Sequence, residues 1–176
     1  NKSLLILNGK RFCNVPMLDS RNKPISTYVT QVSRLHNGDI AVATSGYGIM
    51  TKKIDANASY AMKGEVEKLK FVHKILEDKQ ERLWIILENG KLYRKEKNGK
   101  LVSRIMGTEQ LTIQDIRQDD KGNIYLATKN DGVYLLKAGS TAFTKIAGIG
   151  NLPIGNIYIS RDQRLFIGCD GMGIFV

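Results

Sequence analysis

The chain has 176 residues, 42% of them hydrophobic, and carries 27 Lys and Arg against 17 Asp and Glu for a formal charge of +10. That length suits one domain with a sizeable core, and no apolar run approaches the roughly 18 residues of a membrane-crossing helix. Two Cys and two His make neither a disulfide framework nor a metal set with recognised spacing, and the surplus charge favours acidic partners without specifying a fold.

Taken in order, Leu4 to Leu7 reads as a strand, Asn8-Gly9 as a hairpin turn and Lys10 to Cys13 as the partner strand, the back half of an earlier unit. Pro16 to Pro24 reads as a polar connector. A first full unit then has a strand at Val32 to Leu35, a turn at Asn37-Gly38, an apolar strand at Ile40 to Ala43, and Gly48 before a third strand. Ala56 to Lys68 follows, either a short helix or a loop leading to an outer strand; the weak stripe of Tyr60, Val66 and Leu69 favours the loop and strand. The second unit has Val72 to Leu76, Asp78-Lys79-Gln80, Leu83 to Ile86 with the sole Trp, and Gly90. Its later strands bracket Lys91, Arg94, Lys95, Lys97 and Lys100, with Glu96 the only acid, the most basic stretch of the chain. The third is the clearest: Ile113 to Gln118, a turn at Asp119 to Gly122, Asn123 to Thr128, then Asn130-Asp131-Gly132 and Val133 to Lys137. Asp-Gly between apolar runs marks a tight hairpin because glycine takes the positive φ required. A fourth runs from Ile157 to Ser160 through Asp162-Gln163, Leu165 to Gly168 and Gly173.

The glycines before the third strands, Gly48, Gly90, Gly132 and Gly173, are spaced by 42, 42 and 41 residues. A period near 41 with several strands per unit indicates β-propeller blades. The predicted fold is all-β, with three full and two partial four-stranded antiparallel blades in a single propeller segment. The boundaries are 1–27 (end of a preceding blade), 28–70, 71–106, 107–146 and 147–176 (start of a further blade). Second strands that are apolar on both faces need a neighbour on each side. Small residues at Ala43, Ala127 and Gly168 would admit close approach, and Ile86 departs from that pattern. The segment is expected to belong to a larger propeller. With no initiator Met or signal peptide, the chain is expected to be processed or part of something longer.

The stretch Asn151 to Val176 resembles the two-component regulator propeller repeat: Leu152-Pro153, Ile157, Ile159, Asp162, Phe166-Ile167-Gly168 and Gly171 to Ile174 fit its pattern. Asp120, Gly122, Ile124-Tyr125 and Gly132 fit it in the third blade, and Asp78, Leu83-Trp84-Ile85 and Gly90 in the second. The first blade departs, with Ala41 in the aromatic slot and no Asp before Gly38. The resemblance implies a periplasmic sensor region of a hybrid histidine kinase, the ectodomain of an inner-membrane protein whose kinase modules lie elsewhere. It implies carbohydrate sensing, with glycan fragments as ligands.

No catalytic constellation, metal set or cofactor motif stands out. His36, beside Asn37-Gly38, reads as a surface histidine. The repeated Asp78, Asp120 and Asp162 have a structural explanation as caps of their own turns. In propellers, ligands sit at the face formed by loops entering the first strand and loops joining the second and third. The candidate ligand-binding residues there are Tyr28, Tyr47, Lys70, Lys129, Asn130, Asn156 and Asp170, with His73 facing the central channel; Asn89 and Asp131 share these loops. Aromatic faces stack on sugar rings, while Lys and Asn bond hydroxyls, sulfates or carboxylates. The bland alternative for each Asn and Asp is turn formation. Cys13 and Cys169 are read as unpaired, Cys169 in the strand-end slot of Thr44 and Thr128.

Three functions follow. The first is a non-catalytic sensor recognising an oligosaccharide, with the charge favouring acidic or sulfated ones. Its other partners would be the rest of the ectodomain and a second copy in a homodimer, with no nucleic acid. The second is a propeller scaffold for protein contact or dimerisation. The third is a propeller lyase or lactonase, which needs metal ligands or a His base at the channel.

Overall fold

The computed structural model describes residues 4–8, 10–19, 21, 23–52 and 68–176, with side chains left aside at 4–8, 11–14 and 52. The segment from Ala56 to Lys68, read above as loop and strand, lies almost wholly outside these residues, as do Gly9 and the Cys13 side chain. The described residues are all-β and form propeller blades: antiparallel sheets of consecutive strands, joined by short turns. By contacts the chain divides into two compact units, Asn1–His73 and Lys74–Val176.

In the first unit, β1 (Leu4–Asn8) and β2 (Arg11–Val15) form a hairpin. A three-stranded sheet follows, of β3 (Tyr28–Arg34), β4 (Ile40–Ser45) and β5 (Gly48–Lys52). Met17, Val15, Val42 and Met50 make its buried cluster. The polar connector expected at Pro16 to Pro24 is instead a small structured turn. Leu18 bridges Pro24, Asp19 accepts the Arg21 and Lys23 N–H groups, and Met17 is buried in the core. One apolar side chain in a polar stretch is enough to anchor it.

The second sheet starts with β6 (Val72–Glu77), which spans the unit boundary, and continues with β7 (Leu83–Leu87), β8 (Leu92–Lys95) and β9 (Leu101–Val102). The rest of the second unit holds a four-stranded sheet of β10 (Ile113–Gln118), β11 (Ile124–Thr128), β12 (Val133–Leu136) and β13 (Thr144–Lys145). A three-stranded sheet of β14 (Ile154–Ile159), β15 (Leu165–Cys169) and β16 (Gly173–Phe175) completes it. Successive sheets share their cores. Trp84, Ile86 and Leu92 of one pack with Ile113, Ile116 and Leu126 of the next. Ala127 and Val133 pack in turn with Ile154, Ile157 and Ile167. This is why β11 is apolar on both faces: Leu126 packs into the core shared with the preceding sheet and Ala127 into the core shared with the following one.

The ladders fix which residues are equivalent. Trp84 pairs with Arg94 and Tyr125 with Leu135, while across the other ladder Tyr125 pairs with Arg117 and Phe166 with Tyr158. Trp84, Tyr125 and Phe166 therefore hold one slot, and Ala41 holds it in β4. The turns give a correction. The loop closing bonds run from Asp78 N–H to Arg82 O, Asp119 N–H to Asn123 O and Ser160 N–H to Arg164 O. The repeated turn acid is thus Asp78 and Asp119, with Ser160 in the fourth blade, and not Asp120 or Asp162. Asp119-Asp120 are adjacent, and only the hydrogen bonds distinguish them.

Candidate functional site

Each blade offers two ends. At the turn end, between first and second strands, side chains serve the fold. Asp78, with no exposed surface, accepts the Gln80 and Arg82 N–H groups, Arg82 Nε at 2.6 Å and Trp84 Nε1 at 2.7 Å. Asp119 accepts the Asn123 N–H, its Nδ2 at 2.7 Å, and the Tyr125 hydroxyl at 3.2 Å. Burial pushes the Asp119 carboxyl up, but these bonds outweigh it and hold the group below its usual 3.8. Burial and the same carboxylate raise the Tyr125 hydroxyl above 10.0. The turns are also tied blade to blade, by Lys79 N–H to Gln118 Oε1 at 2.9 Å and Gln163 Nε2 to Asp120 Oδ2 at 2.8 Å.

At the loop end, the repeated glycine is required twice over. Gly90 and Gly132 take φ of 78° and 75°, a conformation that costs an L side chain. A Cβ on Gly132 would lie 2.4 Å from Gly150 O, and one on Gly90 would lie 2.4 Å from Thr112 Cγ2. Close approach lets backbone stitch the blades: Ile113 N–H donates to Gly90 O at 2.9 Å and Gly132 N–H to Leu152 O at 3.0 Å. A buried threonine holds the same turn, Thr44 Oγ1 donating to Gly48 O and Thr128 Oγ1 to Gly132 O, each at 2.8 Å. Cys169, a buried free thiol, fills that slot in the last blade.

The candidate ligand residues fall on this end in both units. In the first, Tyr28 opens β3 with 69% of its surface exposed, and Tyr47 lies in the β4–β5 turn. That turn is tied to Lys70, whose carbonyl accepts the Gly46 and Gly48 N–H groups; the half-buried His73 follows on β6. In the second, Lys129 and Asn130 are exposed on the β11–β12 turn, anchored by Lys129 N–H to Thr112 O. Asn156 on β14 and Asp170 after β15 are exposed one blade on, anchored by Asp170 N–H to Pro153 O. Among the described residues, the side chains of Lys129, Asn130, Asn156 and Asp170 have no hydrogen-bond or ion partner. Asp131 differs: Lys145 Nζ at 2.7 Å and the Tyr134 hydroxyl at 2.9 Å occupy its carboxylate and lower its pKa. His36 is exposed in its turn. No group of three or more His, Cys, Asp or Glu among the described residues is placed to hold a metal ion.

One feature has no sequence signal. The first strands carry a bulge near their start, between Val29 and Gln31, Ile113 and Asp115, and Ile154 and Asn156. A bulge re-aims the side chain that follows. Asp115 turns wholly inward, where its oxygens accept the Ile116 N–H at 2.8 Å and, from the next blade, the Ile157 N–H at 3.0 Å. Lys74 Nζ at 2.8 Å and Arg117 at 2.9 Å complete its shell. The equivalent Asn156 faces Gly168, where a Cβ would lie 2.4 Å from its Oδ1.

No family model and no curated protein matches the chain. Solved structures do share its fold. A superposition over 99% of the chain onto 29% of PorZ, a surface component of the type-IX secretion system of Porphyromonas gingivalis, gives a TM-score of 0.74 at 9% identity. The extracellular domain assigned to the hybrid two-component system BT4673 of B. thetaiotaomicron aligns with 94% of the chain, over 23% of its own, at a TM-score of 0.68 and 21% identity. Virginiamycin B lyase from Staphylococcus aureus aligns with 80% of the chain, over 48% of its own, at a TM-score of 0.58 and 14% identity. The neighbours thus include an ectodomain of the protein class that the repeat resembles, and an enzyme. No helix among the described residues is long and apolar enough to cross a membrane.

Proposed function

We propose that the chain is a ligand-sensing propeller segment from the periplasmic region of a hybrid two-component sensor. It recognises an oligosaccharide at its loop end, has no catalytic step of its own, and signals to a histidine kinase carried elsewhere in the same protein. The reading rests on one observation above others: 94% of the chain follows the fold of a two-component ectodomain at 21% identity. The loop end supports it, because Lys129, Asn130 and Asp170 present unengaged polar groups from rigidly anchored turns and Asn156 presents one from β14. Burial in the first strands supports a place in a larger propeller. Val29 and Val32 are 39% and 49% exposed, where their equivalents Ile113 and Ile116 are 1% and 0%.

Calorimetry against a panel of neutral and acidic oligosaccharides tests the proposal. Binding by at least one member is expected, weakened about tenfold by Asn130→Ala or Asn156→Ala. Silence across the panel overturns it. Pairing with a second copy belongs to the same proposal and predicts concentration-dependent sedimentation. A lyase reading has the fold of virginiamycin B lyase in its favour, and stoichiometric bound metal in the purified protein would support it.

A further inference from the structure

A cavity of 390 Å³ opens at the second blade between the β7–β8 turn and the connector that enters β10, lined by Lys91, Tyr93, Ser103, Arg104, Thr108 and Glu109. Its floor is apolar, from Leu92 and Ile105, both nearly buried, and Leu111. The volume falls in the range of small-molecule sites, about 300–1,000 Å³. Its far wall, the connector 103–111, is braced. Thr108 N–H and Oγ1 both donate to Ile105 O, and Leu111 N–H donates to Thr108 O. Phe143 N–H donates to Met106 O, and Gly107, at φ 82°, passes so close to Phe143 that a Cβ would lie 2.2 Å from its carbonyl oxygen. A wall fixed in this way is pre-organised.

The charges in the cavity are not balanced. Nearby on this basic blade, Arg94 pairs with Glu96 at 2.6 Å and lies over the Trp84 ring, and Lys97 pairs with Glu81 at 2.8 Å. Lys91 and Arg104 have no carboxylate partner among the described residues. The single acid of the lining, Glu109, has Oε2 taken by the Gly107 N–H at 2.9 Å. Two unengaged cations, three hydroxyl-bearing side chains and an apolar floor share one pocket.

We propose that this pocket binds an acidic saccharide unit. Its carboxylate or sulfate would meet Lys91 and Arg104, its hydroxyls Ser103, Thr108 and Tyr93, and its C–H face the apolar floor. The ligand class rests on the oligosaccharide reading above; the pocket shares none of the candidate residues Lys129, Asn130, Asn156 and Asp170. The test is calorimetry with glucuronate, a sulfated glucose and glucose, on the unsubstituted protein and on Lys91→Gln and Arg104→Gln. Both residues are exposed and off the strands, so the variants keep the fold; unfolding curves matching the parent check this. At least one acid binds about tenfold more tightly than glucose, and each substitution weakens it about tenfold. Either acid alone suffices, and which one binds identifies the acid group. The proposal is overturned if neither acid binds up to about 10 mM, if glucose binds equally well, or if both variants bind like the parent. Neutral oligosaccharides that still bind in those cases leave the reading at Lys129, Asn130, Asn156 and Asp170 standing.

Discussion

At the scale of single residues, two sites make the arrangement measurable. Gly132 and Gly99 both have positive φ, 75° and 90°, but only Gly132 meets backbone where a Cβ would go. Gly99→Ala therefore carries the conformational cost alone, about 1 kcal/mol. Gly132→Ala adds a clash that backbone cannot relieve cheaply and costs about 3 kcal/mol or more. Equal losses in urea denaturation would contradict that account. Asp119 gives a pH signature. Its folded value lies below 3.8, so its stabilisation is full above that pH and is lost as pH falls through the lower folded value. Tyr125→Phe removes one of its donors and is expected to raise the Asp119 pKa, read from its carboxyl carbon by NMR. An unchanged or lower value would show that the hydroxyl plays no part. Asp115, with no exposed surface, is costly to remove. Asp115→Ala strands the buried Ile116 and Ile157 N–H groups, for about 2–3 kcal/mol, while the partly exposed Lys74 and Arg117 turn to water; a loss under about 1 kcal/mol would mean that water replaces it freely.

At the scale of the blade, the aromatic slot and the turn acid change together. Asp78 meets Trp84 Nε1, Asp119 meets the Tyr125 hydroxyl, and Ser160 stands opposite Phe166, which has no polar group to offer. Each pair is six residues apart, and the slot in β4 holds Ala41, with Leu35 at the turn. The acid is kept where the aromatic has a donor to satisfy. Ser160→Asp with Phe166→Tyr should therefore gain about 1 kcal/mol beyond the sum of the single changes. Strict additivity in a double-mutant cycle would break the link. This level was the most legible in the sequence, because glycines at positive φ and doubly apolar strands leave a period of 41 or 42 residues. The turn acid was misread by one position in the third blade, since Asp119-Asp120 offers two candidates and only hydrogen bonding selects one. The bulges were invisible, because an extra residue in a strand changes neither composition nor apolar pattern. So was the inward turn of Asp115, because it follows from the bulge.

At the scale of the whole molecule, the blades depend on one another for dry surfaces, and the two ends divide the work. The turn end spends its side chains on capping and blade-to-blade bonds such as Gln163 to Asp120. The loop end uses backbone and a threonine for the same purpose and leaves the Lys129, Asn130 and Asp170 side chains unengaged. Sequence reasoning placed the candidates on these loops from the repeat alone, and it left Asp131 outside them without a physical reason. Its partners Tyr134 and Lys145 come from β12 and β13, and only the folded sheet brings them to the carboxylate. The pocket beside Lys91 and Arg104 was legible only as a basic stretch, because its far wall is a connector without repeat character. The most direct test of the functional account is backbone NMR of the protein titrated with the oligosaccharide that binds it best. The account predicts shift changes centred on Lys129, Asn130, Asn156 and Asp170. Changes confined to the turn end, around Gly122 and Gln163, would contradict it.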